Sequence, residues 1–379
     1  MRILSIFQTH AVFGRGNMAS EMRVMAQYLQ DLGHEVDLLT ANYDGVRSFT
    51  EPEHQVNVIY LGTVFQAHHM TVNPGLVSFC LRNLRNYDVV HIYGIYDLIG
   101  PTVAWFCRRW KIPYVVEPIG MYKPVVRTFL AKRLYHWIFG GHLMKGAVRV
   151  VTTSEQERSE VLDGGISPDR IVIRKNGLDM RQFEQLPPRG AFRTELGISE
   201  EESLILYVGR ISSVKGLDLL VKAFSRLDLP SRLVLVGPDD GDGTVEEIEQ
   251  LNFAMGLEDR VVLAGPRFGK DKLQALVDSD LFVLPSIHEN FGNVVLEAAA
   301  SGVPVIVSDQ CGVASHIEDR AGLVVPRDED ALLTAMRELI VNNELRDRFK
   351  ASSAQIRDDY SWKEPMLFQQ RMYQELVAG

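Results

Sequence analysis

The sequence predicts an α/β protein of two Rossmann-like domains, each a parallel sheet covered by helices on both faces, with the two sheets facing across a cleft. Three observations predict it. Short apolar runs rich in Val, Ile and Leu alternate with helix-length amphipathic segments along the whole chain, which is the rhythm of βα units. That rhythm restarts after residues 181–189, where Pro187-Pro188 reads as a linker. A chain of 379 residues is also long enough for two domains of ordinary size.

The first domain opens on a strand at 2–7, a helix at 19–32 and a strand at 36–40, followed by a looser stretch to about residue 67. A helix near 76–85 leads into a strand at 89–93, and a helix at 101–110 into a strand at 114–117. After a basic segment come a strand at 149–153, a helix at 156–162 and a strand at 171–173. The second domain starts with Leu204-Ile205-Leu206-Tyr207-Val208 and repeats strand and helix at 217–226, 233–237, 244–255, 261–264, 270–278, 281–285, 294–300 and 303–308. Helices at 329–342 and 343–357 follow, and a last one runs from Trp362 to the end. The domains are therefore expected at 1–180 and 190–360, with 362–379 as a closing helix.

Composition narrows the class. A hydrophobic fraction of 46% with 23% charged residues is that of a soluble globular enzyme. No run approaches about 18 consecutive apolar residues, so no membrane-crossing helix is expected. The opening strand is too short for a signal-peptide core. Cys80, Cys107 and Cys311 lie far apart, without metal-ligand spacing, and read as reduced core thiols of a cytoplasmic protein.

The net charge of −9 argues against nucleic acid as a partner, but it is divided unevenly: +4 over residues 1–178 and −13 over 179–379. Residues 118–154 contain no acid and carry Lys123, Arg127, Lys132, Arg133, Lys145 and Arg149 among Phe129, Trp137 and Phe139. Two readings of this stretch stand: an ordinary helix with a basic solvated face, or peripheral contact with an anionic membrane or an anionic acceptor.

The chemistry concentrates around two glutamates eight residues apart. Glu289 follows the buried strand Leu281-Phe282-Val283-Leu284, and Glu297 lies about one turn into a helix opened by Gly292-Asn293. Open α/β sheets bind ligands at this edge, and a helix N-terminus offers N–H groups and partial positive charge to a phosphate. Carboxylates beside a phosphate site are poor anion binders, so they are read as accepting hydrogen bonds from hydroxyls. A nucleotide sugar carries all of these groups.

Gly209-Arg210 and Lys215-Gly216 likewise lie between a strand and a helix, and two fixed cations there suit a departing diphosphate. In the first domain, the turn from Thr9 through His10 to Gly16 follows the first strand. Gly94, Gly120 and Asn176-Gly177 also fall just past strands, so all four would line one rim of a parallel sheet.

With these motifs in hand, the sequence resembles glycosyltransferase family 4, retaining enzymes of the two-Rossmann-domain type B fold. The resemblance rests on Pro285-Ser286, Glu289-Asn290-Phe291-Gly292, Glu297-Ala298 and Gly302-Val303-Pro304-Val305. It is extended by Gly209-Arg210, Lys215-Gly216, Asn176-Gly177-Leu178-Asp179, Gly33-His34-Glu35-Val36 and Trp362, and covers nearly the whole chain.

It implies that Glu289 contacts the transferred sugar, that Glu297 holds the ribose hydroxyls, and that Arg210 and Lys215 hold the diphosphate. It further implies donor contacts from Gly16, Gly209 and the backbone at Phe291, Gly292 and Asn293. Arg267 and Phe268 match the loop that meets the base, and the helix after Trp362 is expected to pack back onto the first domain. That domain would bind the acceptor and the second the nucleotide sugar.

Three departures stand out. The first loop reads Gly16-Asn17 where many relatives have two glycines. Gly312 keeps a glycine element but lacks its glutamate, and Ile119 stands before Gly120 where relatives carry His or Arg. His10, His91, Glu117 and Gly120 are the acceptor-side candidates, and which of them replaces that side chain is left open.

The expected activity is metal-independent, retaining transfer of a hexose from a UDP- or GDP-sugar to a hydroxyl of a glycan or lipid-linked acceptor, in surface polysaccharide or glycolipid synthesis. No cofactor is expected, and the protein would be cytoplasmic, with peripheral contact at the inner membrane face under the second reading of 118–154. A nucleotide-sugar epimerase or glycan phosphorylase on the same fold is the alternative, although no motif points to a pyridoxal lysine. A nicotinamide dehydrogenase is disfavoured because the first turn lacks Gly-x-Gly-x-x-Gly and no acid ends the second strand. A non-enzymatic sugar-binding module would be secreted, which the missing signal peptide disfavours.

Overall fold

The computed structural model describes residues 1–7, 17–53, 56–67, 70–122 and 135–378. The chain divides into two compact units, Met1–Asn176 with Trp362–Gly379, and Gly177–Ser361.

In the first unit the strands are β1 (Arg2–Phe7), β2 (Glu35–Asn42), β3 (Phe49–Glu53), β4 (Val56–Gly62), β5 (Phe65–Ala67), β6 (Met70–Val72), β7 (Val89–Tyr93), β8 (Tyr114–Glu117), β9 (Arg149–Thr152) and β10 (Ile171–Ile173). Eight of them form one sheet in the order β10-β9-β8-β7-β1-β2-β4-β3. Its pairings are parallel except for β3 against β4, and β5 and β6 form a separate antiparallel pair. The loose stretch expected before residue 67 is therefore strand-rich. Val56, Val58 and Tyr60 are buried while Asn57 between them is exposed, a period of two. No helix intervenes between β2 and β4, so the expected strict βα alternation fails there.

Alternate residues of the central strands feed two cores. Leu4 and Ile6 pack with Cys80, Phe106 and Leu143 on one face, and Ile3 and Phe7 pack with Met25 and Leu29 on the other. The closing helix Lys363–Ala378 covers the second face through Met366, Met372 and Tyr373, beside the buried Trp362. Cys80, Cys107 and Cys311 are all buried and unbridged.

The second unit holds β11 (Ser203–Val208), β12 (Ser231–Val236), β13 (Val261–Gly265), β14 (Leu281–Leu284), β15 (Val305–Ser308) and β16 (Gly322–Val325). They pair in parallel in the order β13-β12-β11-β14-β15-β16. The sheet grows from β11 through β12 to β13 on one side, then resumes at β14 on the other. The strand order reverses at β11/β14, and a crevice opens at the carboxyl ends of two strands whose connections diverge in this way.

The stretch 181–189 lies inside this second unit and not between the two, and the chain just past it is clamped. Asp278 accepts from the backbone N–H groups of Gly190 (2.6 Å), Phe192 (2.6 Å) and Arg193 (3.2 Å). The buried Arg193 donates to the carbonyls of Asp278 and Ser199 and pairs with Asp280.

Candidate active site

The loops leaving β11 and β14 meet at the switch point. Residues 209–216 and 285–292 are strapped together by the Ile287 N–H donating to the Val214 carbonyl at 2.8 Å. Gly216 makes this approach possible: its φ is +66°, and a Cβ there would lie 2.4 Å from the Pro285 carbonyl oxygen. Gly216→Ala is accordingly expected to destabilise the chain by at least about 2 kcal/mol, combining left-handed backbone strain with a backbone clash. Gly256→Ala is the matched control in a denaturant titration, since Gly256 has φ +63° and nothing within 4 Å of its Cβ position. It should cost clearly less.

Across this strap Lys215 Nζ pairs with Glu289 Oε2, both side chains largely buried at 14% and 20% exposure. Glu289 is held by its backbone as well, with its N–H donating to the Gln310 carbonyl (3.2 Å) and its carbonyl accepting from Gly312 N–H (2.9 Å). Gly292, at φ +97°, starts the helix Asn293–Ala300, and a Cβ there would sit 3.4 Å from Glu289 Cγ. The Glu289 side chain thus runs beside the positive end of that helix, whose cap residue, a glycine, brings no side chain of its own.

Arg210 extends from the other side of the strap. Its guanidinium donates to Asp240 at 2.6 Å, and its carbonyl accepts from the Tyr207 hydroxyl at 2.7 Å. Burial, with the Glu289 charge adding to it, pushes the Tyr207 phenol well above its ordinary range, so it stays a neutral donor. Asp242 accepts from the N–H and hydroxyl of Ser213, both at 2.9 Å, and from Thr244. Burial alone would raise its pKa, but these bonds together outweigh that and hold it at about 2.

Glu297 has its own cation. Lys272 Nζ, on the helix Gly269–Asp278, lies 2.8 Å from Oε1 and 2.7 Å from Oε2. Neither Lys272 nor Asp240 was singled out from sequence. The available signals were a lysine in the first turn of a helix after the predicted 265–268 loop, and the acid-rich run Asp239-Asp240-Gly241-Asp242 just past β12.

The remaining donor-side candidates are dispersed. Gly209 donates to the Val236 carbonyl at 2.9 Å. Phe291 is buried, 5.9 Å from the His316 ring, and Asn293 opens the helix. Phe268 is exposed at the cap of the 269–278 helix, while Arg267 turns to Glu195 (2.5 Å) and Phe192. His10 and Gly16 lie outside the described residues.

His91 and Glu117 sit in a sealed polar network of the first unit, not on an open rim. Arg174 donates to Glu117 Oε1 at 2.8 Å and to Gln369, and Gln369 donates to the Tyr373 hydroxyl at 2.7 Å. His91 Nδ1 bonds that hydroxyl at 2.5 Å, and its Nε2 lies 3.6 Å from Glu117 Oε2. Burial pushes Glu117 up to about 7 against the pull of Arg174, and burial, seconded by Arg174, holds His91 well below its ordinary range. These groups tie the closing helix to β7 and β8. A direct hold on an acceptor, expected of His91 and Glu117, is unsupported because their polar atoms are turned into this network and fully covered.

Gly120 lies on the surface side of the same strand end. Its N–H donates to Glu157 at 2.5 Å, and Ile119 before it has φ +53°, a strained conformation for a β-branched residue.

Residues 188–355 match the family of glycosyl transferases group 1, and residues 16–177 match the glycosyl transferase 4-like domain. A D-inositol 3-phosphate glycosyltransferase of Nocardioides sp. is 30% identical over 363 residues, covering 86% of this chain and 76% of its own. The chain belongs to the family-4-like glycosyltransferases.

Solved structures agree on the type B fold of this glycosyltransferase. Sucrose-phosphate synthase from Thermosynechococcus elongatus superposes with a TM-score of 0.79 at 21% identity, over 100% of this chain and 99% of that one. Anabaena HepE in complex with UDP-glucose gives 0.78 at 18% identity, over 100% and 99%. No helix among the described residues of the glycosyltransferase is long and apolar enough to cross a membrane.

Proposed function

We propose that this glycosyltransferase moves a hexose from a UDP- or GDP-sugar to a hydroxyl of a glycan or lipid-linked acceptor, with retention at the anomeric carbon and without a metal ion, in surface polysaccharide or glycolipid synthesis. The second unit holds the donor and the first selects the acceptor. The observation that carries this reading is the convergence at the β11/β14 switch of Arg210, Lys215, Glu289 and a helix N-terminus begun by Gly292. A relative of the same fold binding UDP-glucose supports the donor class.

In this reading the diphosphate lies over the N-terminus at Gly292-Asn293, the sugar hydroxyls donate to Glu289, and the ribose hydroxyls donate to Glu297. The bond from the anomeric carbon to the phosphate oxygen breaks as the acceptor oxygen bonds to the same face. The acceptor proton passes to the departing phosphate oxygen. Lys215, Arg210 and the helix N-terminus take up the charge of the leaving group, the task a metal would otherwise perform. Glu289 is committed to Lys215 and to sugar hydroxyls, which favours front-face attack over a covalent glycosyl-enzyme intermediate.

To reach the diphosphate Arg210 must leave Asp240. Asp240→Asn is therefore expected to lower the donor KM by about two- to fivefold with kcat little changed, the worth of one partly exposed ion pair. Steady-state titration of the donor checks this.

A membrane-bound acceptor is supported by three helical segments of the first unit, Gly75–Asn83, Ile99–Trp110 and 136–146, which contain no acidic residue. They expose Leu81, Trp105, Trp137 and Ile138 beside Arg82, Arg108, Arg109 and Lys145. Residues 123–134 of the basic stretch 118–154 lie outside the described residues. Co-sedimentation with phosphatidylglycerol vesicles, absent with phosphatidylcholine and reduced in Arg108→Glu/Arg109→Glu, is the expected result.

The activity itself is tested by incubating the protein, with EDTA present, with a panel of UDP- and GDP-sugars and following slow donor hydrolysis by NMR. One donor should release sugar in the donor's own anomeric configuration. An inverted product, or strict dependence on added metal, would overturn the mechanism.

A further inference from the structure

Glu297 is the one ionisable side chain on the helix Asn293–Ala300, whose Val295, Leu296, Ala298, Ala299 and Ala300 are buried. A carboxylate set into such a helix is costly without a counter-charge. Lys272 supplies it: its ammonium donates to Oε1 at 2.8 Å and lies 2.7 Å from Oε2, and the residue is only 8% exposed. The contact joins two helices that both begin at the carboxyl edge of the sheet, after β13 and after β14. It also parallels the Lys215–Glu289 pair, so each of the two glutamates carries its own lysine.

An ionised carboxylate offers about four lone-pair directions. Lys272 donates to Oε1 and stands 2.7 Å from Oε2, which accepts no hydrogen bond from the described residues, so the carboxylate keeps acceptor directions for hydroxyls. The ammonium also cancels a negative charge that would otherwise face the polyanionic donor. Glu297 lies five residues past Gly292, about 7.5 Å along the helix axis from the proposed phosphate position, which is within reach of the ribose of the same nucleotide.

We propose that Lys272 is a positioning residue: it fixes Glu297 as an oriented carboxylate that accepts from the ribose, the 2′ hydroxyl included, and so makes the enzyme select ribonucleotide over 2′-deoxyribonucleotide donors. This rests on the reading of Glu297 as the ribose holder. Lys272 touches no substrate atom in it.

The test is calorimetric titration of the full chain with UDP, dUDP, GDP and dGDP, for the unmodified protein and for Lys272→Met, Lys272→Arg and Glu297→Gln, with thermal melts to establish folding. The unmodified protein should bind its ribonucleotide about tenfold or more tightly than the deoxy form, the worth of a hydrogen bond to a charged group. Lys272→Met should shrink that ratio towards one, with affinity for the ribonucleotide falling several-fold more than affinity for the deoxynucleotide, which keeps its 3′ hydroxyl and its diphosphate, and Lys272→Arg should restore most of the ratio.

Equal loss of affinity for both forms in Lys272→Met would overturn the proposal, because it would make Lys272 a phosphate contact or a purely structural residue. So would an unchanged ratio. If the unmodified protein does not distinguish the two forms and Glu297→Gln binds as it does, the ribose reading of Glu297 itself fails. Should Lys272→Met not fold, the Lys272→Arg and Glu297→Gln titrations decide: a ratio lost in the glutamine variant and kept in the arginine variant supports the pair, and a ratio kept in the glutamine variant overturns it.

Discussion

Replacing Lys215 by methionine is expected to lower turnover at saturating donor by about 10²–10³-fold while changing donor KM much less. The size of the effect follows from where the charge sits. Lys215 is held at the β11/β14 switch, with its side chain 14% exposed and its ammonium on Glu289. An ammonium in that place meets a diphosphate most strongly as the sugar–oxygen bond breaks, when the phosphate gains charge. Its removal does two things: it withdraws that stabilisation, and it leaves Glu289 as an uncompensated anion beside the departing group.

The double variant Lys215→Met/Glu289→Gln separates these contributions. It should recover part of the loss if repulsion from Glu289 matters, yet stay well below the unmodified enzyme because the cation is still missing. Steady-state rates with excess donor decide it. Turnover within about twofold of normal in Lys215→Met would remove the leaving-group role, since that is below the worth of a single positioned donor.

Arg174→Met should produce the largest loss of stability, about 3–5 kcal/mol in a denaturant titration. Arg174 is fully buried, donates to Glu117 and Gln369, and lies over the Trp362 ring at 5.4 Å. Arg174 alone opposes the burial that raises Glu117 to about 7, so its methionine replacement makes the enclosed carboxyl take up a proton, beside a His91 that stays neutral, and strips the guanidinium from Gln369 and the Trp362 ring. The same change loosens the closing helix, because Gln369 and Tyr373 are its links to β7. Arg174→Met/Glu117→Gln should regain a substantial part of the loss, because the carboxyl that must be neutralised goes with its partner. If the single variant melts like the unmodified protein, the buried network does not anchor that helix.

Five of the six strands of the second unit were legible in the sequence, for a physical reason, while the half-buried edge strand β16 was not. A parallel strand buried on both faces must be a continuous apolar run, and Leu281-Phe282-Val283-Leu284 and Leu204–Val208 can be little else. The first unit was less legible around 49–72, where β3, β5 and β6 are short and half-exposed and their composition resembles loops. Motif spacing alone makes Arg210, Lys215, Glu289 and Glu297 candidates for one site.

The partners of these residues could not be found in the same way. Asp240 is 30 residues from Arg210 and Lys272 is 25 residues from Glu297, and only the strand order brings them together. The same limit explains His91 and Glu117. A polar residue at a strand's carboxyl end looks like a rim residue until the closing helix, more than 240 residues later, is seen to cover it.

The most direct measurement is a crystal structure of the protein with UDP or GDP, whichever binds in solution. The diphosphate is expected over the Gly292-Asn293 helix end, with Lys215 in contact, Arg210 turned from Asp240 towards phosphate, and the ribose hydroxyls on Glu297. A nucleotide bound elsewhere on the second unit, leaving Glu289 and Glu297 untouched and still paired only with their lysines, would contradict the account.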